Sequence, residues 1–203
     1  ELAGQWRSQY PMHDALHEMY VERLEATSRA HERIDVLRQW LKRNPNCAWT
    51  WRALASLLED NVARSKDHDH TRKLDEFTKA LRRCVATSPE HPTTLRLQAE
   101  LAWQEGHTED AIELSTQVFE SDPYIVGALA RALYFARADR TRGLGVIERC
   151  TAALCRQRTE LGQAPRVAGI IAENFGRAVA DEQLSIWEQS APGDPHLVQA
   201  RAE

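Results

Sequence analysis

Pro45, Pro89 and Pro123 each close a stretch in which apolar residues recur at three- and four-residue steps, and the last two prolines stand 34 residues apart. Proline ends helices because it lacks an N–H donor and its ring clashes with the preceding turn, so the three residues mark helix ends in a common phase. Six residues after each stand Trp51, Leu95 and Leu129, ten after stand Ala55, Ala99 and Leu133, and thirteen after stand Leu58, Ala102 and Ala136. Between Pro89 and Pro123 the second helix carries Ala111 and then Val118. Small residues at fixed phase let paired helices approach, and the large ones fill the space beside them. The Pro45 to Pro89 interval is 44 residues, and its excess of ten is assigned to the polar run 60–72, read as a loop inserted before the next helix.

The rest of the chain fits an all-helical reading. Glycine and proline are few, nine and eight in 203 residues, and Ala, Leu, Arg, Glu and Gln, the strong helix formers, dominate. Leu16, Met19, Tyr20 and Leu24 form one stripe behind Pro11, and Ile34, Leu37, Trp40 and Leu41 form a second that stops at Asn44-Pro45. Later helices are expected to end at Gly106 and the Ser-Asp-Pro at 121–123, to run from Arg140 to about Gln157, and to reopen at Pro165 and continue through Ala180. Leu184 and Trp187 belong to another, and the Pro-Gly-Asp-Pro at 192–195 precedes a short terminal one. About ten helices joined by short turns result, with no alternating strand pattern.

The 34-residue period, the small residue in the first helix, the alanine in the second and the terminal proline resemble the tetratricopeptide repeat family. The resemblance implies a right-handed superhelical array of antiparallel helix pairs. It divides a single helical-repeat domain, 1–203, into N-terminal helices (12–44), a degenerate repeat with the polar insertion (45–89), the best-matching repeat (90–123), a second degenerate repeat (124–160) and C-terminal capping helices (163–203). The related half-a-tetratricopeptide family of RNA-processing scaffolds fits less well, since Trp51 is followed by Leu54 rather than an aromatic and Glu59 is one position out of step. The string Tyr20-Val-Glu-Arg-Leu-Glu25, followed by Asn44-Pro45-Asn46, is similar to the helical-repeat subunit of the RNA polymerase I promoter-selectivity factor, which would place the chain in transcription and the nucleus.

Charge is more informative by position than in total. The net charge of −4 gives no overall attraction for a polyanion, yet 97–130 contain no Lys or Arg while Glu100, Glu109, Glu113 and Glu120 accumulate. Arginines then follow at Arg131, Arg140, Arg142 and Arg149, suited to forked pairing with carboxylate or phosphate. They are candidates for docking an acidic partner or a nucleic acid, against an alternative in which the acidic repeat packs on its basic neighbour. Trp49 lies roughly 200° around a helix from Trp51. With Trp51 taken as core, Trp49 becomes an interface anchor, joined by Arg52 and by Trp6 in the N-terminal segment. Chaperone adaptors of the tetratricopeptide family hold a carboxylate with Lys and Asn seven and eleven residues after the proline. Here those positions are Arg52 and Ser56, Arg96 and Glu100, Ala130 and Tyr134, so that role is disfavoured.

Motifs for chemistry are sparse. His13 and His17 share a helical face, and Asp67-His68-Asp69-His70 is a compact set of donors, but solvated side chains account for both, so no metal, cofactor or catalytic residue is assigned. A metal-dependent hydrolase is the remote alternative. Cys47, Cys84, Cys150 and Cys155 have neither zinc nor disulfide spacing and are read as reduced thiols. The Gly143-Leu-Gly145 pair lacks the rest of a phosphate loop and is assigned to close helix packing. No stretch reaches the roughly 20 apolar residues that cross a bilayer, and no secretory leader is visible, although a first residue of Glu marks the sequence as a candidate fragment. The expectation is a non-enzymatic, intracellular scaffold, cytoplasmic or nuclear, binding protein partners through a concave helical surface within a larger complex. The alternative is a nucleic-acid-engaging subunit of a transcription-initiation or RNA-processing factor.

Overall fold

A computed structural model describes residues 14–25, 32–65, 67–156 and 162–202. Among them lie eleven α-helices and no strand, in two compact units that meet in sequence between Pro89 and Glu90.

The first unit contains α1 (Asp14–Glu25), α2 (Arg33–Arg43), α3 (Ala48–Ala63) and α4 (Asp67–Thr87). α3 and α4, consecutive in the chain, form its most closely packed helix pair. Leu54, Ala55, Leu58 and Val62 of α3 face Phe77, Leu81 and Cys84 of α4, all buried. α2 adds Val36, Leu37, Trp40 and Leu41, and its end is fixed where the Asn44 N–H donates to the Trp40 carbonyl.

Three expectations need correction here. The run 60–72 is not a loop: α3 continues to Ala63 with Val62 in the core, α4 begins at Asp67, and only 64–66 lie between. α3 and α4 have 16 and 21 residues where the next pair has 13 and 14, so the ten-residue excess lengthens two helices. The polarity reflects exposure of these helix ends, where Asp69 pairs with Arg72 at 2.8 Å and Lys73 at 3.0 Å along one face. Met19 is 51% exposed while Val21 takes its place in the core, so the α1 stripe is rotated. Trp51, expected in the core, is half-buried, because Thr50 occupies the fully buried position beside it.

The second unit holds α5 (Pro92–Gln104), α6 (Thr108–Ser121), α7 (Val126–Ala136), α8 (Arg140–Arg156), α9 (Ala164–Phe175), α10 (Arg177–Ser190) and α11 (Pro195–Ala202). α5 turns into α6 through Gly106 at φ +81°. Its N–H donates to the Trp103 carbonyl while that of His107 donates to Ala102, which closes the helix end as a left-handed glycine cap does. The proline-phased positions Ala99, Ala102, Leu133 and Ala136 are buried, the first, second and fourth of them small, as are Ala111 and Val118. Farther on, Trp187 and Ile171 are fully buried, and Thr151 donates across to Gln183 Oε1 at 2.7 Å, which satisfies two buried polar groups.

The helix expected from Pro165 through Ala180 is broken at Gly176, whose φ of +94° no helix accepts; Ala180 belongs to α10 with Leu184 and Trp187. The two glycines of α8 part company. A Cβ on Gly143 would run into the Phe175 ring, so close packing holds there, whereas a Cβ on Gly145 meets open space.

Candidate protein-interaction surfaces

Arginine placement in the second unit follows from the repeat. Residues about one period apart lie side by side on consecutive pairs, and the acidic stretch precedes the basic one by about that distance. Arg131 Nη1 donates to Glu100 Oε2 at 2.8 Å, from α7 to α5. Arg142 reaches Glu109 at 2.7 Å, from α8 to α6. One helical stretch along, Arg149 holds Glu113 at 2.6 Å and Glu120 at 2.7 Å, so a single guanidinium bridges two carboxylates. Its hydrogen bonds to Glu120 and then Glu113 raise its pKa further, and Arg149 holds the Glu113 carboxyl below the usual glutamate value. Three of the four candidate arginines therefore face carboxylates of the same unit, on two different faces, and Arg140 stands exposed at the start of α8.

The face shared by α5 and α7 carries a feature that the apolar stripes did not reveal. The Trp103 ring stacks on Phe135 at 4.6 Å and meets the edge of Tyr134 at 5.9 Å. Tyr134 is 43% exposed, and Arg137 lies over its ring at 4.1 Å. Glu100 and Tyr134 both stand eleven residues after their prolines, and Trp103 and Arg137 both stand fourteen after. That shared phase was the sequence signal for a common face.

In the first unit, α2, α3 and α4 enclose a groove of about 490 Å³. Its floor is Leu41, Leu54, Leu58 and Ala80, with Trp51 forming one wall. Trp51 is held by its indole N–H, which donates to the Pro45 carbonyl at 2.7 Å, and the Arg83 guanidinium stands 6.0 Å from its ring centre. Of the anchors expected in this unit, Trp49 is half-buried on α3, and Arg52 donates to Ser88 Oγ at 3.0 Å, tying α3 to the end of α4. Trp6 lies outside the described residues, as does His13.

No three His, Cys, Asp or Glu side chains converge as metal ligands among the described residues. Asp69 is engaged by Lys73 and Arg72, and His70 Nδ1 lies 3.0 Å from Ser65 Oγ; the side chains of His17, Asp67 and His68 are outside the described set. The four cysteines are free thiols, and burial pushes Cys84 up to about 11 and Cys150 up to about 12, far from the thiolate a nucleophile needs. No helix among the described residues is long and apolar enough to cross a membrane.

The structure is similar to a solved structure entitled "MamA RS-1 ArsTM double mutant", with a TM-score of 0.52 and 14% identity over 90% of this chain and 99% of that one. This is a tetratricopeptide-like helical-repeat fold. A second solved structure, "Structure of Naa15/Naa10 bound to HypK-THB", aligns at a TM-score of 0.43 and 17% identity over 98% of this chain and 30% of that one. No family model and no curated protein matches the chain. Nothing in these likenesses bears on transcription or the nucleus.

Proposed function

We propose that the protein is a non-enzymatic protein-interaction scaffold and a structural subunit of a larger intracellular complex. The observation that carries this reading is the aromatic face of α5 and α7. There a stacked Trp103–Phe135 pair supports a Tyr134 ring left 43% exposed, the kind of rigid aromatic anchor that partner surfaces cover. The repeat boundaries 45–89, 90–123 and 124–160 are proposed as the units that present such faces. The nucleic-acid alternative loses its main support, because Arg131, Arg142 and Arg149 are turned toward glutamates.

The test is affinity purification with mass spectrometry on the full-length protein, comparing wild type with Tyr134→Ala. The expected result is loss of stoichiometric protein partners with the thermal midpoint within a few degrees of wild type, since Tyr134 is half out of the core. An unchanged partner set would sink the reading.

A further inference from the structure

The groove of the first unit combines a fixed aromatic wall, a leucine floor and a rim whose cations outnumber its carboxylates. We infer that it is a docking site for an acidic amphipathic helix of a protein partner, which deepens the scaffold reading and rests on it.

Shape comes first. Trp51, Leu54 and Leu58 present one face of α3 over eight residues, a length of about 10 Å, which matches about two turns of an incoming helix. A groove of about 490 Å³ with an apolar floor accepts whole side chains from such a helix at three- and four-residue steps. The wall is preorganised: the Trp51 indole N–H is already bound to the Pro45 carbonyl, so seating an apolar side chain against the ring orders little that is not ordered before binding.

Charge selects the occupant. Arg38 is shared between Asp35 at 3.6 Å and Glu76 at 3.2 Å, and Lys79 is paired with Asp75. Lys42 and Arg83, also on the rim, pair with no carboxylate among the described residues, and both are exposed. In a chain of net charge −4 this is a local basic rim around an apolar floor, complementary to a helix with leucine-like residues on one face and carboxylates on its flanks. A nucleic acid is the poorer occupant, because the floor is aliphatic and offers bases one aromatic ring to stack on.

The probe is a fluorescein-labelled synthetic 16-residue helix with leucines on one face and glutamates on the flanks. It is titrated by anisotropy into the full chain beside a lysine-for-glutamate version and a 20-nucleotide oligothymidine. The expected result is saturable binding of the glutamate helix, weakened at least about tenfold by K42E/R83E and by the lysine version, and falling with added salt. Circular dichroism checks that K42E/R83E folds, and Arg83→Gln provides a milder variant whose expected effect is a severalfold loss. Absence of saturable binding overturns the proposal, as does glutamate-helix binding indifferent to K42E/R83E. So does oligothymidine binding that K42E/R83E abolishes while the peptide is unaffected. Tyr134→Ala, in the other unit, is expected to bind this helix as wild type does. Failure here with partners still lost on Tyr134→Ala therefore removes the groove and leaves the scaffold reading standing.

Discussion

The first unit carries 15 of the chain's 26 Lys and Arg and the second carries 11, and the cations that stood out by sequence and those that line a groove are used differently. In the second, Arg131, Arg142 and Arg149 are closed onto Glu100, Glu109, Glu113 and Glu120, and a glycine of α8 lies against the Phe175 ring. In the first, Lys42 and Arg83 stand at the edge of an open groove with no carboxylate of their own. An arginine-rich stretch is thus a poor indicator of a binding face when an acidic stretch precedes it by one repeat. The separations of the pairs, 31, 33, 36 and 29 residues, scatter around the 34-residue period. Two exposed cations on a groove rim that meet no carboxylate among the described residues are the better indicator.

The largest expected difference lies in how closed the second unit is. Gly143→Ala puts a methyl group into the Phe175 ring and is expected to destabilise by about 1–2 kcal/mol, the range for overpacking a well-filled contact. Gly145→Ala meets open space and replaces glycine inside a helix, so it is expected to stabilise by roughly 0.5–1 kcal/mol. Urea unfolding of both variants checks the pair, and a double-mutant cycle with Phe175→Ala isolates the clash. Equal effects at 143 and 145 would break the distinction drawn between the two glycines.

Smaller, and aimed at the charges, is the contrast between Arg149→Ala and Arg83→Ala. Arg149 is partly exposed but serves two carboxylates, so its loss is expected to cost about 1 kcal/mol, at the upper end for such pairs, and less in high salt. Arg83 forms no ion pair among the described residues, and its replacement should change stability by no more than about 0.5 kcal/mol. Thermal melts at low and high salt separate the two.

Much of this was legible from the prolines. Pro45, Pro89 and Pro123 locate helix ends, and the small positions in phase with them are buried because close helix approach demands it. The misreadings have physical causes. Residues 60–72 look like a loop because helix ends that project into solvent are as polar as loops, and length alone betrayed the two long helices. Gly176 sits inside an otherwise helical apolar pattern, and its φ of +94°, which periodicity does not encode, divides α9 from α10. The groove was hidden because Trp51 satisfies a core pattern from one side while its ring forms a surface wall on the other.

The smallest expected effect is in acid. Arg149 holds Glu113 below its ordinary value of 4.5, so the folded carboxyl binds its proton less readily than the unfolded one. Its contribution is complete above that ordinary value and is lost as pH falls through the lower folded value. Stability should therefore decline as pH falls below 4.5, by a small amount because the carboxyl is half exposed and screened by solvent. Arg149→Ala removes the cause, so its urea midpoint should fall less steeply than that of wild type between pH 5 and 3. K42E/R83E serves as the control in the other unit, provided each profile is compared with wild type after allowing for the two added carboxyls. Arg83→Ala, which adds none, should track wild type across the whole range, because its guanidinium meets no carboxylate among the described residues. A shallower acid limb in Arg83→Ala would mean that its charge is used inside the fold after all, and the contrast between the two units would collapse.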